Sequence, residues 1–445
     1  MRVIVVERSG TGLVSARLLV KTGGEADPPD RAGLADLTAG LLTQGTKTRS
    51  ATQIAEQVEA LGGSLDAGAR WDAATVSLDV LAVSVGSAMS IFTDVARRPA
   101  FAAREVERVR RETLDDLRVS LRNPGTLARL VASRLLFGDR PYGQPLGGTP
   151  ETVRRIRRED IVRHHRTHFR PDNAVLVIGG DITATAAFAL AARLFGDWQR
   201  PDPRLLVQKG DGVRQTGGPG GRIVVIDKPD AGQTAVVVTA PGLARTDPDY
   251  FKALVANSLL GGGYSSRLNR KIRIEKGLSY GAGSSFDARR EVGPFSASTQ
   301  TKNESGAEVA RLIVDELARL ATEPIAEEEL VPRKSVLTGG FSRSLETTGG
   351  FVSQVANLAL YGLSLDEINR YIANVQAVGS SDVQRFAGSR LPSGGATVVL
   401  VGNAKLFLED LRKRFPGVAL EIIPEALLDL NRADLRRPAK TAATR

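Results

Sequence analysis

Apolar and polar positions follow two rhythms along this chain. Four short runs dense in β-branched residues stand out: RVIVVE from Arg2, NAVLVIGGDI over 173–182, RIVVID from Arg222 and GATVVLVGNA over 395–404. Bounded by charge, glycine or turn residues, they predict buried strands. ARLLVKTG and TAVVVTAPG predict second strands that follow the first in each half. AREVERVRRETLDDLRVSL (103–121) and GAEVARLIVDELARLAT (306–322) carry the helical period and predict long helices. In GLADLTAGLLTQGT (33–46), Leu34, Leu37, Leu41 and Leu42 fall at i, i+3, i+7 and i+8, one apolar helical stripe. On another face Asp36, Ala39 and Gly40 fall at i, i+3 and i+4, the spacing that converges side chains on one point. Two of those three positions carry no group able to do chemistry.

The strand runs repeat. Arg2 and Arg222 open matching strands 220 residues apart, and aligning Gly179 with Gly402 gives 223. Matching strands at both ends of each half, at nearly one offset, predict an internal duplication. Between the copies GDGVRQTGGPGGR (210–222) is rich in glycine and has no hydrophobic period. The expected organisation is an N-terminal half over 1–209, a linker over 210–221, a C-terminal half over 222–430 and a loose basic tail over 431–445. Hairpin-like neighbours begin each half and helices follow. That order predicts an α+β fold of two homologous halves, with helices packed on a mainly antiparallel sheet, over a doubly wound parallel one.

Composition narrows the chemistry. The chain of 445 residues has no cysteine, so disulfides, thiolate zinc sites and cysteine nucleophiles are excluded. No apolar run is long enough to span a bilayer, so no membrane span is expected. The net charge of +10 raises nucleic acid as a partner. The arginine pairs are scattered, however, and aromatics are 5%, which leaves few stacking platforms and predicts a solvated surface with no nucleic-acid partner. All three histidines lie in RHHRTHFR: His164, His165 and His168. His164 and His168 have chelating spacing, but no carboxylate is spaced to complete the set and the neighbouring arginines repel a cation. The expectation is an exposed helix ahead of a strand. With every histidine in one run, no Ser-His-Asp triad forms elsewhere. LLGGGYSSRLNRKIR (259–273) matches neither a P-loop nor a dinucleotide fingerprint, so its glycines predict a tight turn between helices.

Two long stretches then resemble signatures of one family. DPPDRAGLADLTAGLLTQGTKTRSATQIAEQVEALGGSLDA and LLGGGYSSRLNRKIRIEKGLSYGAGSSF are similar to the first-half and second-half signatures of the pitrilysin/insulinase zinc metallopeptidases. Within that family they resemble the bacterial two-subunit branch related to mitochondrial processing peptidase. The resemblance implies two homologous halves, each a pair of α/β sandwich subdomains, closing like a clamshell around peptides. Active members carry His-x-x-Glu-His, two zinc ligands and a general base on one helical face. Those places are Asp36, Ala39 and Gly40 here, and the third ligand's place is Asp116. The resemblance therefore implies no metal in this chain.

Arg273 and Tyr280, seven residues apart, match the family's arginine–tyrosine pair. In the family the tyrosine hydroxyl donates to the scissile carbonyl oxygen as it becomes an oxyanion, and the arginine holds a substrate carbonyl. Taken by spacing alone, the two would be a surface ion pair and a half-buried strand tyrosine. The resemblance implies the non-zinc subunit of a heterodimeric peptidase, inactive alone. A homologous partner would bring His-x-x-Glu-His and zinc, and the substrates would be peptides. The alternative is a scaffold comparable to the core subunits of the respiratory ubiquinol–cytochrome c reductase. A recognition subunit ranks after it, because GGGYSS is a short glycine loop. MRVIVVE opens inside a strand without a signal segment, and relatives of this type are exported, so the periplasm is expected with the cytoplasm left open.

Overall fold

The computed structural model describes residues 1–200, 221–392 and 395–438. The expected linker over 210–221 lies outside the described residues except for Gly221. The first half of the sequence supplies strands β1 (Arg2–Glu7), β2 (Leu13–Val20), β3 (Ser64–Ala69), β4 (Ala74–Leu81) and β5 (Ala174–Gly180). Among its helices are α1 (Leu34–Leu41), α2 (Val85–Arg97), α3 (Ala103–Ser120), α4 (Pro124–Phe137) and α5 (Arg158–His168). The second half supplies β6 (Arg222–Asp227), β7 (Thr234–Pro241), β8 (Ala282–Phe286), β9 (Pro294–Thr301), β10 (Thr397–Gly402) and β11 (Ala419–Pro424). Its helices include α6 (Gly306–Thr322), α7 (Glu327–Glu346) and α8 (Thr348–Leu360).

The strands form two mixed sheets, ordered β1-β5-β2-β4-β3 and β11-β6-β10-β7-β9-β8. In the first, β1 runs parallel to β5 and every other neighbour is antiparallel. In the second, β6 runs parallel to both β10 and β11, and the remaining pairs are antiparallel. The α+β class and the duplicated architecture are therefore as expected. Pairing also fixes the equivalence of the copies. Gly180 sits opposite Glu7 as Gly402 sits opposite Asp227, so the counterpart of Gly402 is Gly180, one residue beyond Gly179. Both glycines are needed for a close approach. A Cβ on Gly180 would lie 2.1 Å from the Leu13 carbonyl oxygen, and one on Gly402 would lie 2.2 Å from Thr234 Oγ1. The two long helices of the sequence are not counterparts of each other. α6 follows β9 as the shorter α2 follows β4, and α3 corresponds to α7.

The described residues fall into two compact units whose boundaries cut across the halves of the sequence. One comprises Met1–Leu117, Pro145–Lys209 and Gly339–Tyr371; the other comprises Arg118–Gln144, Gly210–Thr338 and Ile372–Arg445. The reason is burial. All seven residues of β5 are buried, as are all but the first of β10, so each sheet needs helices on both faces. In the first unit α8 lies across β2 and β5, where Val352 and Val355 meet Leu19, Val175 and Val177. In the second, α4 lies across β7 and β10, where Leu127 and Val131 meet Val237, Val399 and Val401. Each sheet thus takes one helix from the other half of the sequence.

The expected loose tail is anchored in its first part. Leu435 is buried with Leu428 and Leu430, and Arg436 pairs with Glu421 at 2.8 Å; residues from 439 on lie outside the described residues. No helix among the described residues is long and apolar enough to cross a membrane.

Because α4 belongs to the second sheet's core, Leu127→Ala is expected to remove about 2–5 kcal/mol from the second unit. Hydrogen exchange checks the assignment: amides of β7 and β10 lose protection while those of β2 and β5 keep theirs.

Candidate functional site

The zinc-motif helix α1 is built as the leucine stripe predicts, with Leu34, Leu37, Leu41 and Leu42 all buried. Its N-terminus is closed by Asp27. The two carboxylate oxygens accept from the backbone N–H groups of Gly33 and Ala35, both at 2.9 Å, which satisfies two of the amides a helix start leaves free. Burial pushes the Asp27 carboxyl up to about 8, against the pull of those donors. Gly33 enters the helix at φ +96°, and a Cβ there would crowd Gly147 at 3.0 Å.

Asp36, Ala39 and Gly40 occupy one face of α1 in the expected spacing. Asp36 is part-buried, and burial raises its carboxyl above the usual range. Ala39 is fully buried, and a Cβ added at Gly40 would meet nothing within 4 Å. Space for a larger side chain thus survives at one ligand place, but the groups do not. Asp116 is an exposed residue of α3. Among the described residues no three histidine, aspartate or glutamate side chains come together to hold a metal. A hydrocarbon, a hydrogen and one protonation-prone carboxyl cannot replace two imidazoles and a base, so these residues do not fit zinc.

Arg273 and Tyr280 lie in the second unit, on a braced turn. Arg273 sits in a π-helical segment, Arg270–Glu275, whose Ile272 is fully buried. Its guanidinium stacks over the exposed Tyr264 ring at 4.9 Å, and no carboxylate among the described residues pairs with it. Gly277, at φ +64°, turns the chain, and the Leu278 N–H donates to the Ile272 carbonyl at 2.9 Å. Past the turn the Thr299 hydroxyl holds the Gly281 carbonyl at 2.7 Å, and the Ala282 N–H donates to Asn269 Oδ1 at 3.2 Å. Between these fixed points the Tyr280 side chain is 90% exposed. The pair is neither a surface ion pair nor a half-buried strand tyrosine. Tyr264, Asn269 and Thr299, which support it, carry no signal in the sequence because their roles depend on pairing across the sheet and turn.

The histidines overturn an expectation. His164 and His165 are buried, and α5 is not an exposed helix. His165 Nε2 lies 2.9 Å from the Ala96 carbonyl oxygen, and its ring stacks on Phe169 and meets Phe101 edge-on. His164 and His168 pack ring to ring at 4.6 Å. Burial lowers all three, His164 to about 3 and the other two to about 4. His164 and His165 are neutral core aromatics and the part-buried His168 packs against the first, with packing rather than ligation as their use.

Two measurements check these assignments. Asp27→Ala leaves the α1 amides unpaired and is expected to cost about 1–2 kcal/mol in denaturant unfolding. The imidazoles, neutral when folded, add stability in full above pH 6.5. That contribution is lost as pH falls from about 6.5 towards 4, because the unfolded chain binds protons first. NMR of the folded protein should show no imidazole titrating near 6.5.

Comparison with known proteins adds the family. The model described as Insulinase (Peptidase family M16) matches residues 2–149, and the one described as Peptidase M16 inactive domain matches residues 155–337. An uncharacterized zinc protease of Mycobacterium tuberculosis is 28% identical over 419 residues, covering 93% of this chain and 94% of that protein. An uncharacterized zinc protease of Streptomyces coelicolor is 25% identical over 82% of this chain and 80% of its own length. The crystal structure of a peptidase M16 inactive domain from Pseudomonas fluorescens superposes with a TM-score of 0.83 at 27% identity, over 90% of this chain and 95% of that one. With two adjoining models of one family over most of its length and the duplicated sheets that accompany them, the chain belongs to peptidase family M16, the insulinase family.

Proposed function

We propose that this chain is the non-zinc subunit of a two-subunit M16 peptidase and completes its partner's active site with Arg273 and Tyr280. The observation that carries the reading is a contrast between its two units. The zinc-motif helix keeps its packing and has lost every metal ligand and the base. The turn bearing Arg273 and Tyr280 is held rigid while its tyrosine faces outward at 90% exposure. Hydrophobic burial gives no reason for that exposure, and a pure scaffold would leave it without a use.

In this reading a homologous subunit carrying His-x-x-Glu-His brings the metal and the base. This chain's own part is binding and electrostatic. The Tyr280 hydroxyl donates a hydrogen bond to the scissile carbonyl oxygen as negative charge develops there. Arg273 donates to a backbone carbonyl of the peptide and sets its register. Pre-positioned donors of this kind gain strength where water is excluded, and they need no reorganisation during the reaction. Extended peptides are the substrate class, since both donors read backbone carbonyls.

The test is peptide hydrolysis by the zinc-bearing homologue alone, with this chain, and with its Tyr280→Phe variant. Wild-type chain is expected to switch activity on, and Tyr280→Phe to lower kcat by ~10²-fold or more. If Tyr280→Phe activates as well as wild type, the tyrosine is no oxyanion donor and the scaffold reading takes its place.

A further inference from the structure

The duplication allows one position to be read twice. In the first unit β2 and β4 pair Ser15 with Asp79 and Arg17 with Ser77. In the second, β7 and β9 pair Ala235 with Gln300 and Val237 with Ser298. With Gly180 equivalent to Gly402, Ser15 corresponds to Ala235, Arg17 to Val237 and Asp79 to Gln300. The covering helices agree. A Cβ on Gly349, second residue of α8, would lie 3.1 Å from Asp79 Oδ1, and one on Gly125, second residue of α4, would lie 3.0 Å from Gln300 Nε2.

The contents differ. In the first unit Arg17 Nη2 pairs with Asp79 Oδ2 at 2.9 Å, Arg17 Nη1 donates to the Leu78 carbonyl at 3.0 Å, and Ser15 hydrogen-bonds the same carboxylate. In the second unit Val237 and Gln300 stand at those positions, and a cavity of about 400 Å³ opens between the first turns of α4 and the face of β7 and β9. Ala235 and Val237 give it an apolar floor, Ser298 and Gln300 line its side, and Tyr280 stands at its border. One formal charge lines it, that of Arg129, and no carboxylate does so among the described residues. The Arg129 guanidinium donates to the Thr126 hydroxyl at 3.2 Å and makes no ion pair with the described residues.

We propose that this cavity is a subsite for a carboxylate of the peptide held at Tyr280. The proposal rests on the peptidase reading for the peptide, and on the cavity and Arg129 for the carboxylate. The first copy fills this place with an ion pair of its own; the second leaves it open, with Arg129 of the covering helix at its side and no carboxylate among its described lining residues. A carboxylate on a short methylene stem fits an apolar floor with one guanidinium and neutral donors at its sides. A lysine would meet repulsion from Arg129, and an amide would forgo the charge-assisted bond. The carboxylate is that of a glutamate side chain or of the peptide's C-terminus, two sources with one chemistry.

The experiment is fluorescence anisotropy of the full chain with labelled extended hexapeptides. Each carries a single glutamate, glutamine or lysine, with the C-terminus free or amidated. The expected order is glutamate over glutamine by about tenfold, with lysine weakest, and the preference shrinks at high salt. Loss of binding on amidation instead assigns the carboxylate to the C-terminus. Arg129→Gln should abolish the preference. So should Val237→Arg with Gln300→Asp, which rebuilds the first copy's ion pair inside the cavity; should that pair fail to fold, Arg129→Gln decides alone. Equal binding of all peptides, no binding of any, or a preference that survives Arg129→Gln overturns the proposal. Hydrolysis by the complex with the wild-type chain and with Tyr280→Phe, read beside the anisotropy, separates the two readings. Tyr280-dependent hydrolysis without a carboxylate preference sinks the subsite alone. A preference with Tyr280-independent hydrolysis sinks the peptidase reading alone.

Discussion

Burial of both faces of each sheet is the constraint on which the rest depends. β5 and β10 are β-branched runs with almost no solvent-facing side, and each is an interior strand of its sheet. A strand of this kind is stable only when helices cover both faces, since each fully buried valine or leucine contributes about 1.5–3 kcal/mol and each exposed one forfeits it. Helices following β4 and β9 cover one face. The other is covered by α8 in the first unit and α4 in the second, each drawn from the opposite half of the sequence. Neither half of the chain, taken as a contiguous stretch, contains a complete core. The close approach required at Gly180 and Gly402 belongs to the same constraint, because it seats β2 and β7 against the central strands.

That frame explains why α1 is kept although Asp36, Ala39 and Gly40 do not fit a metal. Its leucine stripe is part of the first unit's core, and its start is held by Asp27 through two backbone amides. The histidine run of α5 shows the converse. Residue types suited to chelation are spent on packing, against Phe101, Phe169 and the Ala96 carbonyl. Residue type tells less than environment in both helices.

Much of the fold was legible because its signals are local. The strand runs, the leucine stripe of α1, the boundaries of α3 and α6 and the duplication all follow from periodicity within windows of a few turns. What stayed hidden was long-range. The alignment slipped by one residue because Gly179 and Gly180 are adjacent and only the pairing of Gly180 with Glu7 selects between them. The two long helices invited comparison by length, whereas their places after β4 and β9 show that α2 and α6 correspond. His164 and His165 lay among arginines in sequence, and nothing local announced that α5 turns them inward. At the candidate site Arg273 and Tyr280 were legible as a motif, while Tyr264, Asn269 and Thr299 were not. Their contribution exists only once β8, β9 and the π-helical turn are assembled.

The two copies also show how a duplicated fold acquires differences at low cost. An ion pair such as Arg17–Asp79 gains attraction but forfeits the hydration of two charges, so replacing it by neutral residues is often nearly neutral for stability. Removing one partner alone is the costly step. The second copy has neither partner: valine and glutamine stand where arginine and aspartate stand in the first. The space thereby opened is framed by a packed helix and two central strands, elements that the core already requires, so its shape is held without further ordering. Arg129 stands at the α4 position occupied by Ser353 in α8, counted from the caps Asn123 and Thr347. The place filled by an ion pair in the first copy is thus open in the second and faced by an arginine of the covering helix, on the unit that also carries the exposed tyrosine.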